Sequence, residues 1–310
     1  MIQTILSIGV RDLVEFALLR GDLKVEFASA ARAVDAIRLH QKIQVGRPAG
    51  YLPELTVSHR VDTPEVALRI DGRIDGVFEG AAVPVIDEIK TTRRHPEDCL
   101  REENPLHWGQ AKIYAFIYAA ERGLTEIGVQ LTYARLDTGE VRETRRYFVL
   151  AELRRFFEEV AGRFLQWAAV ISAWQRQRDA SIRDLEFPFT AYRPGQQKMM
   201  EAVERTIQGN RRIFIQAATG IGKTMAVLFP AVGSIPERAG VKVFYLTART
   251  TGRLAAEKAL EELRQRGLRL KSLSLTAKEK ACFNPESACS PDECAFAKGH
   301  YDRLDRKSVV

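Results

Sequence analysis

The spacing of apolar positions changes several times along this 310-residue chain. Between 10 and 20, Val10, Leu13, Val14, Phe16, Ala17 and Leu18 recur at helical spacing and stop at Gly21. Residues 29–44 repeat that spacing less strictly through Ala33, Ile37 and Ile43. From 54 to 90 the rhythm shortens. The runs 55–59, 66–70, 74–78 and 83–90 read as strands, with turns at Asp71-Gly72 and Glu79-Gly80. A helix is expected over 106–122, then a strand pair, 129–133 and 141–148, turning at Asp137-Thr-Gly139. The Phe, Leu and Trp stripe of a long helix over about 150–178 reads as core. Phe187-Pro-Phe-Thr-Ala-Tyr-Arg-Pro-Gly195 is the best domain boundary. Beyond it the pattern alternates: helix 195–207, an apolar strand from 212, helix 223–229, strand 241–246 and helix 252–265. Such alternation predicts a parallel, doubly wound α/β domain.

The length allows two domains, each with its own core. The apolar start Met1–Val10 is short, lacks a basic flank and runs into charged helix, so a cytoplasmic protein without a membrane span is expected. Net charge is +7, and residues 241–310 hold 14 Lys and Arg against 9 Asp and Glu. A basic end favours a polyanionic partner, although a merely solvated surface has the same composition. Four cysteines in such a chain are not a disulfide framework. Cys99 stands alone, whereas Cys282, Cys289 and Cys294 crowd into one short stretch.

Phe214-Ile-Gln-Ala-Ala-Thr-Gly-Ile-Gly-Lys-Thr224 carries the most specific chemistry. An apolar strand, a glycine-punctuated loop and a helix follow one another, as binding a nucleoside triphosphate requires. Backbone N–H groups of Thr219, Gly220, Ile221 and Gly222 and of the helix start would face the phosphates. Lys223 would neutralise β/γ charge, and the Thr224 hydroxyl would ligate Mg²⁺. The general P-loop pattern has Gly where Ala217 stands. A second constellation lies upstream. Asp75 sits in Gly72-Arg-Ile-Asp-Gly76, and Asp87-Glu-Ile-Lys90 follows. On a strand Glu88 and Lys90 face the same side. Paired carboxylates can share a divalent cation, and a neighbouring lysine can orient water or stabilise phosphate charge, the apparatus of phosphodiester hydrolysis. Asp, Glu and Lys on strands also occur as plain solvated ion pairs.

The upstream constellation resembles the PD-(D/E)XK nuclease fold, RecB-type branch, over about residues 10–150. The order is the ground for it: His40 in Ala36-Ile-Arg-Leu-His40, Asp75, Glu88-x-Lys90 and Gln110-Ala-Lys-Ile-Tyr114 fall on helix, strand, strand and helix. The resemblance implies that His40, Asp75 and Glu88 ligate Mg²⁺ or Mn²⁺, that Lys90 is the catalytic lysine, and that Gln110 and Tyr114 position substrate. Ala36 departs from the glycine frequent in the family. Some relatives hold an iron–sulfur cluster in this domain; with Cys99 alone, none is expected here.

Ala-x-Thr-Gly-x-Gly-Lys-Thr is the P-loop form of superfamily 2 helicases, and residues 187–304 resemble the DinG/XPD group. Arg193-Pro-Gly-Gln196 looks like its adenine-recognition segment, and 241–250 like the motif whose Thr/Arg end touches the DNA backbone. Clustered thiolates suit iron–sulfur or zinc. The resemblance favours a [4Fe–4S] cluster on Cys282, Cys289 and Cys294, whose fourth ligand this chain lacks. No Walker B segment follows, so the chain is expected to stop inside the iron–sulfur insertion of a longer protein. The codons GATCGGAAGAGCGTCGTG, a common sequencing-adapter sequence, can encode Asp305–Val310, so a non-native tail is expected there.

The expected organisation is therefore α/β throughout. A PD-(D/E)XK-like domain (1–150, mixed sheet flanked by helices) and a helical linker (151–186) precede part of a RecA-like motor (187–275). The start of the cluster insertion (276–304) and the tail (305–310) complete it. The expected activity is metal-dependent DNA cleavage joined to an ATP-driven DNA helicase whose motor is incomplete and inactive in this chain. Its partner would be DNA that is single-stranded or has single-stranded ends, bound by a monomer. Alternatives are a non-catalytic DNA clamp and a P-loop ATPase unrelated to nucleic acid.

Overall fold

A computed structural model describes residues 4–23, 30–238, 241–287 and 289–304. The expected tail at 305–310 lies outside them. The chain divides into two compact units, residues 1–170 with 283–310, and residues 171–282.

In the first unit the short-period region folds into a mixed sheet. Its strands are β1 (Thr4–Gly9), β2 (Tyr51–Asp62), β3 (Val66–Phe78), β4 (Val85–Thr92), β5 (Glu126–Arg135) and β6 (Val141–Val149). The order is β1-β3-β4-β5-β6, with β2 on the other edge of β3. The N-terminal apolar run, read only as a start, is strand β1, paired in parallel with β3. Asp71-Gly72 is not a turn: it lies inside β3, which joins two runs read as separate strands. Glycine is needed there because a Cβ on Gly72 would sit 2.5 Å from Tyr114 Cε1 and 2.9 Å from Val10 Cγ2. The turn signal was in fact a close-approach signal.

Because β2 occupies one edge of β3 throughout, β1 and β4 must share the other edge in turn. The ladder with β1 stops at Asp71 and that with β4 begins at Gly76, leaving Gly72–Asp75 open between them. This gap is where the sequence put Asp75.

Helices α1 (Val10–Leu18), α2 (Ala30–Val45), α3 (Pro96–Arg101) and α4 (Pro105–Arg122) flank the sheet. Asn104 caps α4, its Oδ1 accepting from Leu106 N at 2.9 Å; Pro105 opens the first turn, and Gly123 ends the helix at φ +66°. Between those stops α4 buries an unbroken run, Ile113 to Ala119, with Trp108 and Ala111. A helix apolar all round must be enclosed. Here β4, β5 and α1 enclose it, in a core that includes Leu13, Ile70, Ile86, Ile127 and Leu131. Each such side chain contributes roughly 1.5–3 kcal/mol through burial. That core fixes α4, and with it Gln110 and Tyr114.

The long helix α5 (Leu150–Arg183) serves both units, which divide inside it. The turn-rich stretch 187–195 lies within the second unit. There α6 (Gln196–Gln208), α7 (Lys223–Gly233) and α8 (Thr250–Gln265) surround Met225, Leu228, Val232, Ala259 and Leu263. The expected strands 212–215 and 241–246 are not paired; among the described residues of this unit no ladder forms. Phe214 is 99% exposed and Leu246 88%. A strand's N–H and C=O groups need a neighbouring strand, and apolar content alone does not supply one. Among the described residues, no helix is long and apolar enough to cross a membrane.

Candidate functional site

The open edge of β3 gathers most of the polar residues singled out in the first unit. Gly76 pairs with Asp87, so Asp75 and Glu88 are the next positions outward on one face. Asp75 Oδ2 accepts from Ile89 N at 2.8 Å, which ties the two strands just past their ladder. From α2, His40 brings Nε2 to 3.4 Å from Asp75 Oδ1. The hydrogen bond to Asp75, larger than the opposing burial, raises the His40 pKa. One turn on, Gln44 donates to the Asp75 carbonyl at 2.8 Å.

Glu88 is fully buried. Lys90 Nζ lies 2.6 Å from its Oε1 in an ion pair, while Oε2 is buried with no hydrogen-bond partner. Burial first, and the neighbouring Asp75 charge second, push Glu88 up to about 8 against the pull of Lys90. Lys90 donates instead to Gln110 Oε1 at 3.0 Å. Burial and the Glu88 charge push the Tyr114 phenol, which is bonded to Gln110, up to about 12. Asp75 and Glu88 place two acids beside one ammonium, with Glu88 Oε2 buried and unpartnered, and such oxygen donors suit Mg²⁺ or Mn²⁺. Even so, among the described residues no three His, Cys, Asp or Glu side chains stand in metal-holding geometry.

Other groups of this pocket escaped the sequence reading. Glu54 takes the left-handed conformation, φ +58°, which costs a non-glycine residue and is held by its contacts. It accepts from Gln44 Nε2 at 2.9 Å, pairs with Arg73 Nε at 2.7 Å and lies 4.0 Å from His40 Nδ1. His107, one turn before Gln110, has Nδ1 2.7 Å from the Tyr133 hydroxyl, and Tyr133 stands opposite Lys90 on β5. Burial, then the Lys90 and Arg11 charges, push His107 down to about 4, so its imidazole is neutral near pH 7. The spacing of His107 from Gln110 was the available signal.

The phosphate loop has its own geometry. Gly220 and Gly222 take φ +90° and +77°. Lys223 heads α7, and its Nζ donates to the loop carbonyls of Ala217 and Ala218 at 3.1 and 2.8 Å. Gln196 is buried; its Oε1 accepts from Arg193 N at 3.0 Å and its Nε2 donates to the Gly222 carbonyl at 3.3 Å. The Arg193 guanidinium donates to the Gly220 carbonyl. Arg193 and Gln196 are thus bonded directly to the loop that holds Thr219, Ile221 and Thr224. Residues 193–282 match the family model described as DEAD/DEAH box helicase.

Over those residues the second unit is similar to the DEAD/DEAH box helicases.

That match fits a RecA-like P-loop domain and implies use of ATP and Mg²⁺ and binding of nucleic acid. Two solved structures are also similar to the chain. The crystal structure of SSO0001 is 18% identical, over 52% of this chain and 78% of that one, with a TM-score of 0.33. A phage-related exonuclease from Haemophilus somnus 129PT is 11% identical, over 50% and 76%, with a TM-score of 0.28. At those scores neither bears on the fold. No curated protein matches the sequence.

The cysteines fall on both sides of the division. Cys282 belongs to the second unit, and Cys289 and Cys294 to the first. Cys294 is buried, and backbone N–H groups of Ala297 and then Phe296, with Ser287 and Asn284, lower its thiol pKa. That cradle favours a thiolate, as a cluster ligand requires. Three sulfurs are not gathered among the described residues, so no cluster site is assembled. The segment after Cys294 is bonded instead to the α1–α2 connection: Leu23 N donates to the Ala297 carbonyl at 2.8 Å, and Gly299 N to Asp22 Oδ1 at 2.7 Å.

Proposed function

We propose that the first unit is a PD-(D/E)XK-type, metal-dependent DNA nuclease joined to a helicase motor of the DinG/XPD kind. The observation that carries this reading is Glu88, a fully buried carboxylate between Asp75 and Lys90 whose Oε2 has no hydrogen-bond partner. Asp75, Glu88 and His40 would hold a divalent cation, which supplies charge neutralisation and Lewis-acid polarisation of a phosphate oxygen. Lys90, bonded to Gln110, keeps its ammonium beside the incoming water and the phosphate oxygen that gains charge. Gln110 and Tyr114, fixed by the core helix α4, orient the strand being cut. In the second unit Arg193 and Gln196 read the nucleotide base while Thr219–Thr224 hold the phosphates. Translocation belongs to a complete motor, and the favoured substrate is single-stranded DNA or a single-stranded end. A [4Fe–4S] cluster on Cys282, Cys289 and Cys294 is part of the same reading, supported by their spacing and the Cys294 cradle. A monomeric cytoplasmic protein fits it.

The deciding experiment is Mn²⁺-dependent cleavage of single-stranded DNA by the full chain and by Lys90→Ala. Cleavage that Lys90→Ala abolishes supports a nuclease. The lack of a gathered three-ligand group among the described residues favours a second reading, a non-catalytic clamp. Salt-sensitive DNA binding with no cleavage at any Mn²⁺ concentration would establish that one.

A further inference from the structure

On the opposite face of β4 lies a polar cluster that this chemistry does not use. Asp87 is fully buried, and strand alternation turns it away from Glu88. Its carboxylate accepts from Thr132 Oγ1 at 2.6 Å and from Tyr51 and Gln130 at 3.2 Å, and it pairs with Arg47 Nη2 at 2.7 Å. The Arg47 side chain, 12% exposed, also donates to Thr132 Oγ1 at 2.8 Å and pairs with Glu143. Its guanidinium lies 5.3 Å from the Phe78 ring centroid.

The position of this cluster matters more than its strength. Arg47 stands two residues beyond α2, the helix that carries His40 and Gln44. Asp87 immediately precedes Glu88 and is the last β4 residue laddered to β3. Past it, the only β3 bond to the Glu88–Lys90 stretch among the described residues is that from Ile89 N to Asp75. Two ligands from a helix and a strand share an ion only when held to about 0.5 Å. A guanidinium fork that grips three side chains at once fixes position and angle, which a point charge cannot do. Buried ion pairs add little net stability over apolar packing, so the contribution of this one is geometric.

We propose that Arg47 and Asp87 form a positioning clamp that sets α2 against β4, so that His40 and Glu88 face a common ion. Neither residue touches substrate or metal, and the clamp rests on the nuclease reading.

The test uses the full chain, Arg47→Lys and the double variant Arg47→Met/Asp87→Leu. Three quantities are read: Mn²⁺ affinity by titration calorimetry, melting temperature, and kcat and KM for single-stranded DNA. Arg47→Lys should fold, bind Mn²⁺ at least about tenfold more weakly, and lose kcat with KM unchanged, since a misplacement of about 1 Å arising far from the chemistry can cost on the order of 10²-fold. The double apolar variant should melt close to the wild type yet bind Mn²⁺ no better than Arg47→Lys. Wild-type Mn²⁺ affinity in either folded variant overturns the clamp alone. Should the double variant not fold, Arg47→Lys decides. A wild-type chain that takes up no Mn²⁺ and cuts nothing removes the nuclease reading and the clamp with it.

Discussion

Replacing Glu88 by Gln should stabilise the metal-free protein, and the gain should grow with pH. Glu88 is fully buried, faces Asp75, and has the Lys90 ammonium beside one oxygen while the other is unpartnered. Its pKa rises from 4.5 in a free chain to about 8 in the fold. A raised folded-state pKa means that the fold prefers the protonated carboxyl. Its favourable contribution is complete below about pH 4.5 and is lost as pH rises through about 8. At 1.36 kcal/mol per pKa unit the ceiling is about 5 kcal/mol, and the Lys90 ion pair that glutamine gives up leaves a gain on the order of a few kcal/mol. Glutamine mimics the protonated form in shape and removes the loss. For a unit of this size, such a gain raises the melting temperature by about 4–12 °C. Scanning calorimetry in EDTA at pH 5 and pH 9 measures it: Glu88→Gln should melt close to the wild type at pH 5 and clearly higher at pH 9. Added Mn²⁺ should then stabilise the wild type at pH 9 and leave Glu88→Gln nearly unmoved. A variant less stable than the wild type at pH 9 would show that Lys90 already compensates the Glu88 charge, and the argument for a vacant cation partner would fall.

Three further outcomes are expected. Gly72→Ala should destabilise the first unit by about 1–3 kcal/mol, because its Cβ meets the buried Tyr114 ring and Val10; urea unfolding measures it, and an unchanged midpoint would disprove the contact. Lys223→Ala should weaken binding of a fluorescent ATP analogue by at least tenfold while leaving the first unit's melting temperature alone, since Lys223 serves the phosphate loop and not a core. Cys294→Ser should lower the iron and sulfide content of anaerobically purified protein, and equal content in both proteins would remove Cys294 from the ligand set.

Whatever depends on near neighbours along the chain was legible in the order of residues. Apolar spacing predicted the helices that became α1, α4, α5 and α8 and the strands that became β4, β5 and β6. The order of His40, Asp75, Glu88-x-Lys90 and Gln110 was readable from types and gaps alone. Tertiary structure decided the rest, since convergence depends on which strand edges are occupied. Asp71-Gly72 read as a turn because a lone glycine signals a turn and a close approach in the same way, and only the Tyr114 ring distinguishes them. Arg47 sat in an unremarkable Gly-Arg-Pro connection, Glu54 in a strand and His107 on a helix; no local pattern says that they meet Asp87, His40 and Tyr133. The runs at 212–215 and 241–246 have strand composition without a ladder, because a strand is completed by hydrogen bonds from residues far away in sequence. Periodicity is a property of a segment, whereas a site is a property of the sheet order that brings segments together.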